Sequence, residues 1–439
     1  MDTICAISTP QGSGGIAVVR LSGDEAIRIA ESLTCPLQDA KGYTLRHTRL
    51  HRGEEMLDEV MLSVYRAPHS YTGEDVVEIA CHGSLYIQQE VLRWLVEAGC
   101  RIALPGEFTR RAFMNGKMDL TQAEAVADLI AAETKAEKDL ALSQLKGSVS
   151  TELNSLREEL LHFTSLVELE LDFADHEELE FADRSELHKL AEKIEVRLRE
   201  LIQSFRTGNA IRNGIPVAIV GAPNVGKSTL LNALVGEQRA IVSDIQGTTR
   251  DTIEDSLILD GILFRLIDTA GLRETDDTLE NLGIERSRQA VEKAQIILSV
   301  TERGKDFAQI TVHEGQTLIP IYNKVDLLMP DERMNLIDGL CISAKHGAID
   351  SLKTKLINVA KASMQTNAVM LSNARHYEAL TRAHSHLQRV LDGLQQQISG
   401  DLLAEDLRLT IDTLAEITGG QITPNEVLEN IFKNFCVGK

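Results

Sequence analysis

The sequence predicts a multidomain α/β chain: an α+β N-terminal domain, a helical domain, and a P-loop domain with a mainly parallel sheet inserted into the helical one. Three observations carry this. The stretch Gly221-Ala222-Pro223-Asn224-Val225-Gly226-Lys227-Ser228 has two glycines bracketing four residues and then Lys-Ser, between a strand-like Val217-Ala218-Ile219-Val220 and a helix start at Thr229-Leu230-Leu231-Asn232. That order of strand, loop and helix is the context a phosphate-binding loop requires. Strand and helix patterns alternate around it, as in a parallel sheet, while helical patterns lie on both sides. The first ~117 residues mix short β-like runs with turns and helical pieces. The expected boundaries are 1–117, 118–212, 213–362 and 363–439, the second and fourth being two halves of one helical domain.

The elements follow in order. Ile16 to Leu21 reads as a strand after the glycine-rich Gln11 to Gly15, Val76 to Ala80 as a second, and Gln88 to Ala98 as a helix. Leu153, Leu156, Leu160, Phe163 and Val167 recur at spacings of three and four, a packed helical stripe. Leu187, Leu190, Ile194, Leu198, Leu201 and Phe205 form another, with Ser185 as the expected N-cap. The acidic run from Asp172 to Asp183 between them lacks the ligand order of a calcium loop and reads as a solvated connection. Thr301 to Thr317 shows no helical stripe, so the crossover expected there is reduced. The last helix starts with Thr423, Pro424 and Glu426 as cap, first position and capping box, and buries Val427, Leu428, Ile431 and Phe432.

Composition sets bounds on function. At 439 residues, ~150 per domain gives about three domains. Hydrophobic content is 43%, and no apolar run approaches the ~18 residues of a membrane span. Met1-Asp2-Thr3-Ile4 lacks the features of a signal peptide, and the six cysteines have neither metal-type nor disulfide-type spacing. A reducing cytoplasm is the expected location. A net charge of −21 argues against a general nucleic-acid coat protein, though not against a local basic patch.

The motifs after the loop specify the nucleotide. Lys227 is placed to reach the β- and γ-phosphates and the Ser228 hydroxyl to hold Mg²⁺. Gly247-Thr248-Thr249-Arg250-Asp251 offers a threonine for the Mg²⁺ shell, and a strand over Leu263 to Ile267 leads into Asp268-Thr269-Ala270-Gly271. There Asp268 suits the outer shell of the metal, and the Gly271 N–H suits the γ-phosphate. A strand over Leu318 to Tyr322 leads into Asn323-Lys324-Val325-Asp326. A carboxylate at the end of such a loop accepts from both N1–H and the exocyclic amine of guanine, a donor pair that adenine lacks. Ser343-Ala344-Lys345, after a short strand at Cys341-Ile342, closes over the base. Each motif alone is weak; five in this order point to GTP.

Catalysis is less legible. Leu272 follows Gly271, where Ras-type enzymes place a water-orienting glutamine. Downstream candidates for that task are Glu274, Asp276, Asp277, Glu280 and Glu285. Arg250 and Arg273 lie in the switch segments, but both read more simply as surface cations than as an arginine finger.

With these residues in hand, the chain resembles the tRNA-modification GTPase MnmE (TrmE) family almost end to end. The resemblance rests on the glycine-rich strand with Arg20, Tyr71-Thr72-Gly73-Glu74-Asp75, Pro105-Gly106-Glu107-Phe108-Thr109 and Asn115-Gly116-Lys117-Met118-Asp119-Leu120. Gly247 to Asp251 and the terminal Phe435-Cys436-Val437-Gly438-Lys439 complete it, the last being foreign to ordinary GTPases. The resemblance implies a nucleotide site made of Asn224, Val225, Gly226, Lys227, Ser228 and Thr229, and of Ser243, Asp244, Ile245, Gln246, Gly247, Thr248 and Thr249. Asp268, Thr269, Ala270 and Gly271, then Asn323, Lys324, Val325 and Asp326, then Ser343, Ala344 and Lys345 complete it. Mg²⁺ is then held by Ser228 and Thr249. A potassium ion is held by Asn224, Ser243, Ile245 and Thr248 in place of an arginine finger, and Glu280 orients the water.

The resemblance further implies a homodimer whose N-terminal domain binds a tetrahydrofolate derivative, in 5,10-methylene or 5-formyl form, through Arg20, Glu78, Lys117 and Lys439. Without it, Arg20 and Lys117 read as surface cations, and Glu78 as a carboxylate on an edge strand. Cys436 near that site is read as either nucleophile or packing. The implied partner is an FAD-dependent MnmG-type protein in a heterotetramer or larger assembly, with no membrane involved. Together they install an aminomethyl or carboxymethylaminomethyl group at C5 of the wobble uridine of certain tRNAs. Residues 370–439 carry 6 Lys/Arg against 9 Asp/Glu, which leaves much of the phosphate binding to the partner.

Two other readings remain. A ribosome-assembly GTPase, using GTP as a timer, requires a basic RNA-binding domain, and Gly419-Gly420 lacks the basic GXXG clamp. A structural GTP-binding scaffold without turnover has no need of intact Mg²⁺ and switch residues.

Overall fold

The computed structural model describes residues 2–172, 184–236, 255–267, 288–302, 306–313, 315–329, 339–364, 369–396, 398–420, 425–433, 435 and 438. It resolves into two compact units. One comprises Met1–Ile130, Gln144–His162 and Arg408–Lys439, the other Ala131–Ser143 and Phe163–Leu407.

The first unit opens with β1 (Ile4–Ile7), β2 (Ile16–Ser22), α1 (Ala26–Leu33), β3 (Thr44–Arg52), β4 (Glu55–Tyr65), β5 (Val76–His82), α2 (Leu85–Glu97) and β6 (Arg101–Ile102). The six strands form one sheet in the order β3-β4-β5-β2-β1-β6, antiparallel except for the β1–β6 pair. Alternation along each strand separates its two faces. Val19, Leu21, Val77 and Ile79 pack with Ile29 of α1 and Trp94 of α2. On the opposite face, Ile4 and Ala6 pack with Phe108 of α3 (Glu107–Met114) and with Tyr71. Helix α2 begins three residues before the expected Gln88, after Ser84 in an extended conformation.

Next come α4 (Leu120–Ala131), α5 (Lys135–Leu145), α6 (Ser148–Asp172) and α7 (Arg184–Asn213). The two leucine-rich stripes lie where the spacing placed them: Leu156, Leu160, Phe163 and Val167 on α6 and Leu187, Ile194 and Leu198 on α7 are all buried. One expectation is corrected. Helix α7 already includes Arg184, so Ser185 lies within its first turn and is not the N-cap. The acidic run after Asp172 and the capping residues Thr423 and Pro424 lie outside the described residues.

The second unit contains β7 (Ile215–Val220), α8 (Lys227–Gly236), β8 (Asp255–Leu259), β9 (Ile262–Leu266), β10 (Ile296–Thr301), β11 (Thr317–Tyr322), β12 (Leu340–Cys341) and α9 (Asp350–Met364). Its sheet runs β12-β11-β10-β7-β9-β8, parallel except for the β8–β9 hairpin. Every residue of β10 is buried, as expected of a central parallel strand covered on both faces. Leu230, Leu231 and Leu234 of α8 and Leu352 and Leu356 of α9 cover one side, while Ala290 and Ala294 cover the other. None of the described residues between β10 and β11 is helical, in line with the missing stripe there. Gln316 Nε2 anchors this crossover to the carbonyls of Val291 and Ala294 at 2.7 and 2.8 Å.

Helix α10 (Ala374–Gln395), capped by Asn373, runs antiparallel to α7. Phe205 stacks on Tyr377 with centroids 4.5 Å apart, and Glu195 accepts from His384 and Gln388 at 2.8 and 3.2 Å. The chain therefore leaves a helical pair at the end of α7, builds the parallel sheet, and rejoins that pair at α10. This is the insertion that the alternating pattern predicted. The chain ends with α11 (Gly400–Thr418) and α12 (Asn425–Phe432). In the first unit, Leu428 and Phe432 of α12 pack with Leu120 and Ala123 of α4. Among the described residues, no helix is long and apolar enough to cross a membrane, and the cysteines are free thiols.

Candidate functional site

The phosphate loop joins the C-terminal end of β7 to α8, so the first turn of α8 and its unpaired N–H groups face the loop. Lys227 Nζ lies across the loop, donating to the carbonyls of Gly221 and Ala222 at 2.8 and 2.9 Å. Burial holds its pKa below the ordinary lysine value. Ser228 and Thr229 follow in the same turn, Ser228 half-buried and Thr229 exposed.

Asn323 and Lys324 stitch the base loop to the phosphate loop. Asn323 is buried; its amide donates to the Val225 carbonyl at 2.9 Å and accepts from the Ala344 N–H at 3.1 Å. One side chain thus spaces all three loops. Only glycine fits at 226, since φ is 94° and a Cβ there would stand 2.4 Å from the Asn323 amide nitrogen. Lys324 Nζ donates to the Asn224 carbonyl at 2.6 Å and to Glu302 at 2.8 Å. Asn224 itself is exposed with φ 64°.

Asp326 stands at the start of a short 3₁₀ turn with its carboxylate accessible. Ser343 Oγ donates to it at 2.5 Å and His346 lies 3.5 Å away. The Ser343 hydroxyl is the main reason its pKa lies below the ordinary aspartate value, with the charges of His346 and Lys345 helping against some desolvation. The group stays ionised and ready to accept a pair of donors. Val325 and Ala344 set the backbone on either side, and Lys345 is exposed beside them. The arrangement offers a lysine and a helix N-terminus at one end and an accessible carboxylate at the other. Ser243, Asp244, Ile245, Gln246, Gly247, Thr248, Thr249, Asp268, Thr269, Ala270, Gly271 and Glu280 lie outside the described residues.

The first unit holds a second cluster. Arg20 and Glu78 are aligned partners across β2 and β5. Being one residue out of phase with Val19 and Leu21, Arg20 points away from the α1–α2 layer. Its guanidinium donates to Glu78 at 2.9 Å through Nε, with a second nitrogen at 2.7 Å. It also lies 5.4 and 5.6 Å from the ring centroids of Tyr71 and Phe108. Two simpler readings are corrected here: β5 is an interior strand, so edge exposure does not explain Glu78, and the Arg20 side chain is only 16% exposed. The C-terminal tail reaches the same place. The Gly438 carbonyl accepts from Ser8 Oγ at 3.2 Å and from Arg20 at 3.5 Å. A Cβ on Gly438 would stand 2.3 Å from the Ile7 carbonyl, so no larger residue seats the tail there. Lys117 donates to the Pro68 carbonyl at 3.0 Å and so borders the 68–73 segment. Lys439 and Cys436 lie outside the described residues.

Sequence reasoning missed two groups. Glu302 belongs to no nucleotide motif. Arg111 is buried on α3 among Glu74, Glu107 and Asp2, bonding both Glu74 oxygens at 3.1 Å. It braces the Tyr71 segment that flanks Arg20. The signal available was the mixed charge of Glu107-Phe108-Thr109-Arg110-Arg111, whose partners lie too far along the chain to be paired by pattern.

Comparison with known proteins gives a consistent picture. Residues 3–117 match the family described as GTP-binding protein TrmE N-terminus, and residues 120–436 match the MnmE helical domain. Among curated relatives, the tRNA modification GTPase MnmE of Parabacteroides distasonis is 51% identical over 464 residues, covering 100% of both chains. That of Bacteroides fragilis is 50% identical over 465 residues, covering 100% of this chain and 99% of the relative. That of Flavobacterium johnsoniae is 47% identical over 465 residues with the same coverage.

Proposed function

The chain belongs to the tRNA modification GTPase MnmE family, and on that premise we propose that it is a potassium-dependent GTPase acting in wobble-uridine modification of tRNA. It works as a homodimer with an FAD-dependent MnmG-type partner, in a heterotetramer or larger assembly in the cytoplasm. The work is divided among folate binding in 1–117, a helical domain in 118–212 and 363–439, and GTP hydrolysis in 213–362. A tetrahydrofolate derivative supplies the one-carbon unit for C5 of the uridine.

At the nucleotide, Lys227 and the first turn of α8 hold the phosphates, while Asp326, oriented by Ser343, selects guanine. Ser228 and Thr249 would hold Mg²⁺, which balances phosphate charge. The proposed potassium ligands, the Asn224 side chain and the backbone around Ser243, Ile245 and Thr248, are neutral oxygens, a set suited to a large monovalent cation. Asn224 fits this role, since its side chain is exposed while its carbonyl is committed to Lys324. Potassium supplies the positive charge that an arginine finger brings elsewhere, and Glu280 orients the attacking water. Hydrolysis gates the movement of the GTPase domains and has no chemical link to the uridine.

The observation that carries the folate reading is the seat of the C-terminal tail on Arg20. Gly438 of the family's most distinctive motif lies beside the Arg20–Glu78 pair, with the Tyr71 and Phe108 rings flanking the guanidinium. A pterin offers an amidine-like edge for a carboxylate, and the glutamate tail of folate needs cations such as Lys117 and Lys439. Titration with 5-formyltetrahydrofolate tests this. Glu78→Gln is expected to weaken binding roughly tenfold or more, because a charge-assisted bond worth ~1.5–3 kcal/mol is lost. Equal affinity in the two proteins would move the folate elsewhere.

A further inference from the structure

Glu302 follows β10 directly and lies outside every nucleotide-binding motif. Its carboxylate accepts from Lys324 Nζ at 2.8 Å, and the same ammonium donates to the Asn224 carbonyl at 2.6 Å. One cation therefore joins the end of a central strand, the base loop and the phosphate loop. Both loops are held in backbone conformations that side-chain-bearing residues adopt at a cost, φ 60° at Lys324 and φ 64° at Asn224. Such conformations persist where neighbouring contacts over-determine them. Lysine is a point charge on a flexible four-carbon stem, so its acceptors decide where it stays.

We infer that Glu302 is a positioning residue for guanine-nucleotide binding: it holds Lys324 on the phosphate loop and so sets the spacing of the phosphate and base loops before the nucleotide arrives. The sign of its effect separates this role from simple electrostatics. A carboxylate near a polyphosphate site repels the ligand, so its neutralisation alone would tighten binding. A positioning role predicts the reverse, because an unheld Lys324 leaves the two loops to be ordered at the expense of binding. The Glu302 and Lys324 side chains are 24% and 37% exposed, so the effect is modest.

The test is GDP titration by calorimetry of the full-length protein as wild type, Glu302→Gln, Lys324→Met and the double variant. Glu302→Gln is expected to weaken GDP roughly three- to fivefold, and to add less than about twofold once Lys324 is methionine. The apo unfolding temperature of Glu302→Gln is expected to stay near that of wild type. Unchanged or tighter binding in Glu302→Gln would overturn the inference, as would the same loss in both Lys324 backgrounds. The inference rests on the guanine-nucleotide reading of these loops. A wild-type protein that does not bind GDP would instead remove that reading.

Discussion

At the scale of single residues, the chemistry depends on groups kept in one state by close neighbours. Asp326 is the clearest case, its pKa lowered mainly by the Ser343 hydroxyl. A carboxyl whose folded pKa is depressed contributes stability above its unfolded pKa and loses it as pH falls through the folded value. Ser343→Ala is therefore expected to move the Asp326 midpoint up towards the ordinary 3.8, so that the ionised form is lost at higher pH. Carbon-detected NMR of the Asp326 carboxyl reads this directly, and an unmoved midpoint would show that Ser343 does not hold the charge. Asp326 and Lys227 were legible in the sequence, because their motifs are local and in order. The work of Asn323 was not, since its partner Val225 lies 98 residues away. Glu302 was hidden for the same reason: only the folded sheet brings it to Lys324.

At the scale of elements, periodicity was a good guide and termini were not. The stripes on α6 and α7 reflect burial at 3.6-residue spacing, which the chain carries locally. Helix ends depend on caps and tertiary context, so α2 starts earlier than its apolar pattern suggests, and α7 does not use Ser185 as a cap. The tie between α3 and the Tyr71 segment was invisible to pattern, as its partners lie far apart in the chain: Arg111 with Glu74, Thr109 with Tyr71 at 2.8 Å, and Asn115 with the Thr72 carbonyl at 2.7 Å. Arg111 bonds Glu74 and Glu107, both themselves shielded, and Glu74 in turn accepts from Ser22 at 2.6 Å. Arg111→Met is expected to destabilise the first unit by about 3–5 kcal/mol, because the buried Glu74 loses its cation while Glu107 keeps Arg101. Urea unfolding followed by Trp94 fluorescence checks this, and a loss below about 1 kcal/mol would mean that the network is well solvated.

At the scale of the whole molecule, the order of motifs predicted the architecture, and the antiparallel α7–α10 pair confirms the insertion of the parallel sheet. The family follows from matches spanning residues 3–117 and 120–436. The central claim is a GTPase switched on by potassium, with Asn224 as a ligand of the cation and Glu280 orienting water. The most direct measurement is GTP hydrolysis by the purified protein in potassium and in sodium at equal ionic strength, with Asn224→Ala and Glu280→Ala alongside. Turnover is expected to be at least about tenfold faster in potassium, because the cation stands in for an arginine worth ~10³–10⁵ in rate. That advantage disappears in Asn224→Ala, while Glu280→Ala loses turnover and still binds GTP. Equal rates in the two salts would contradict the account.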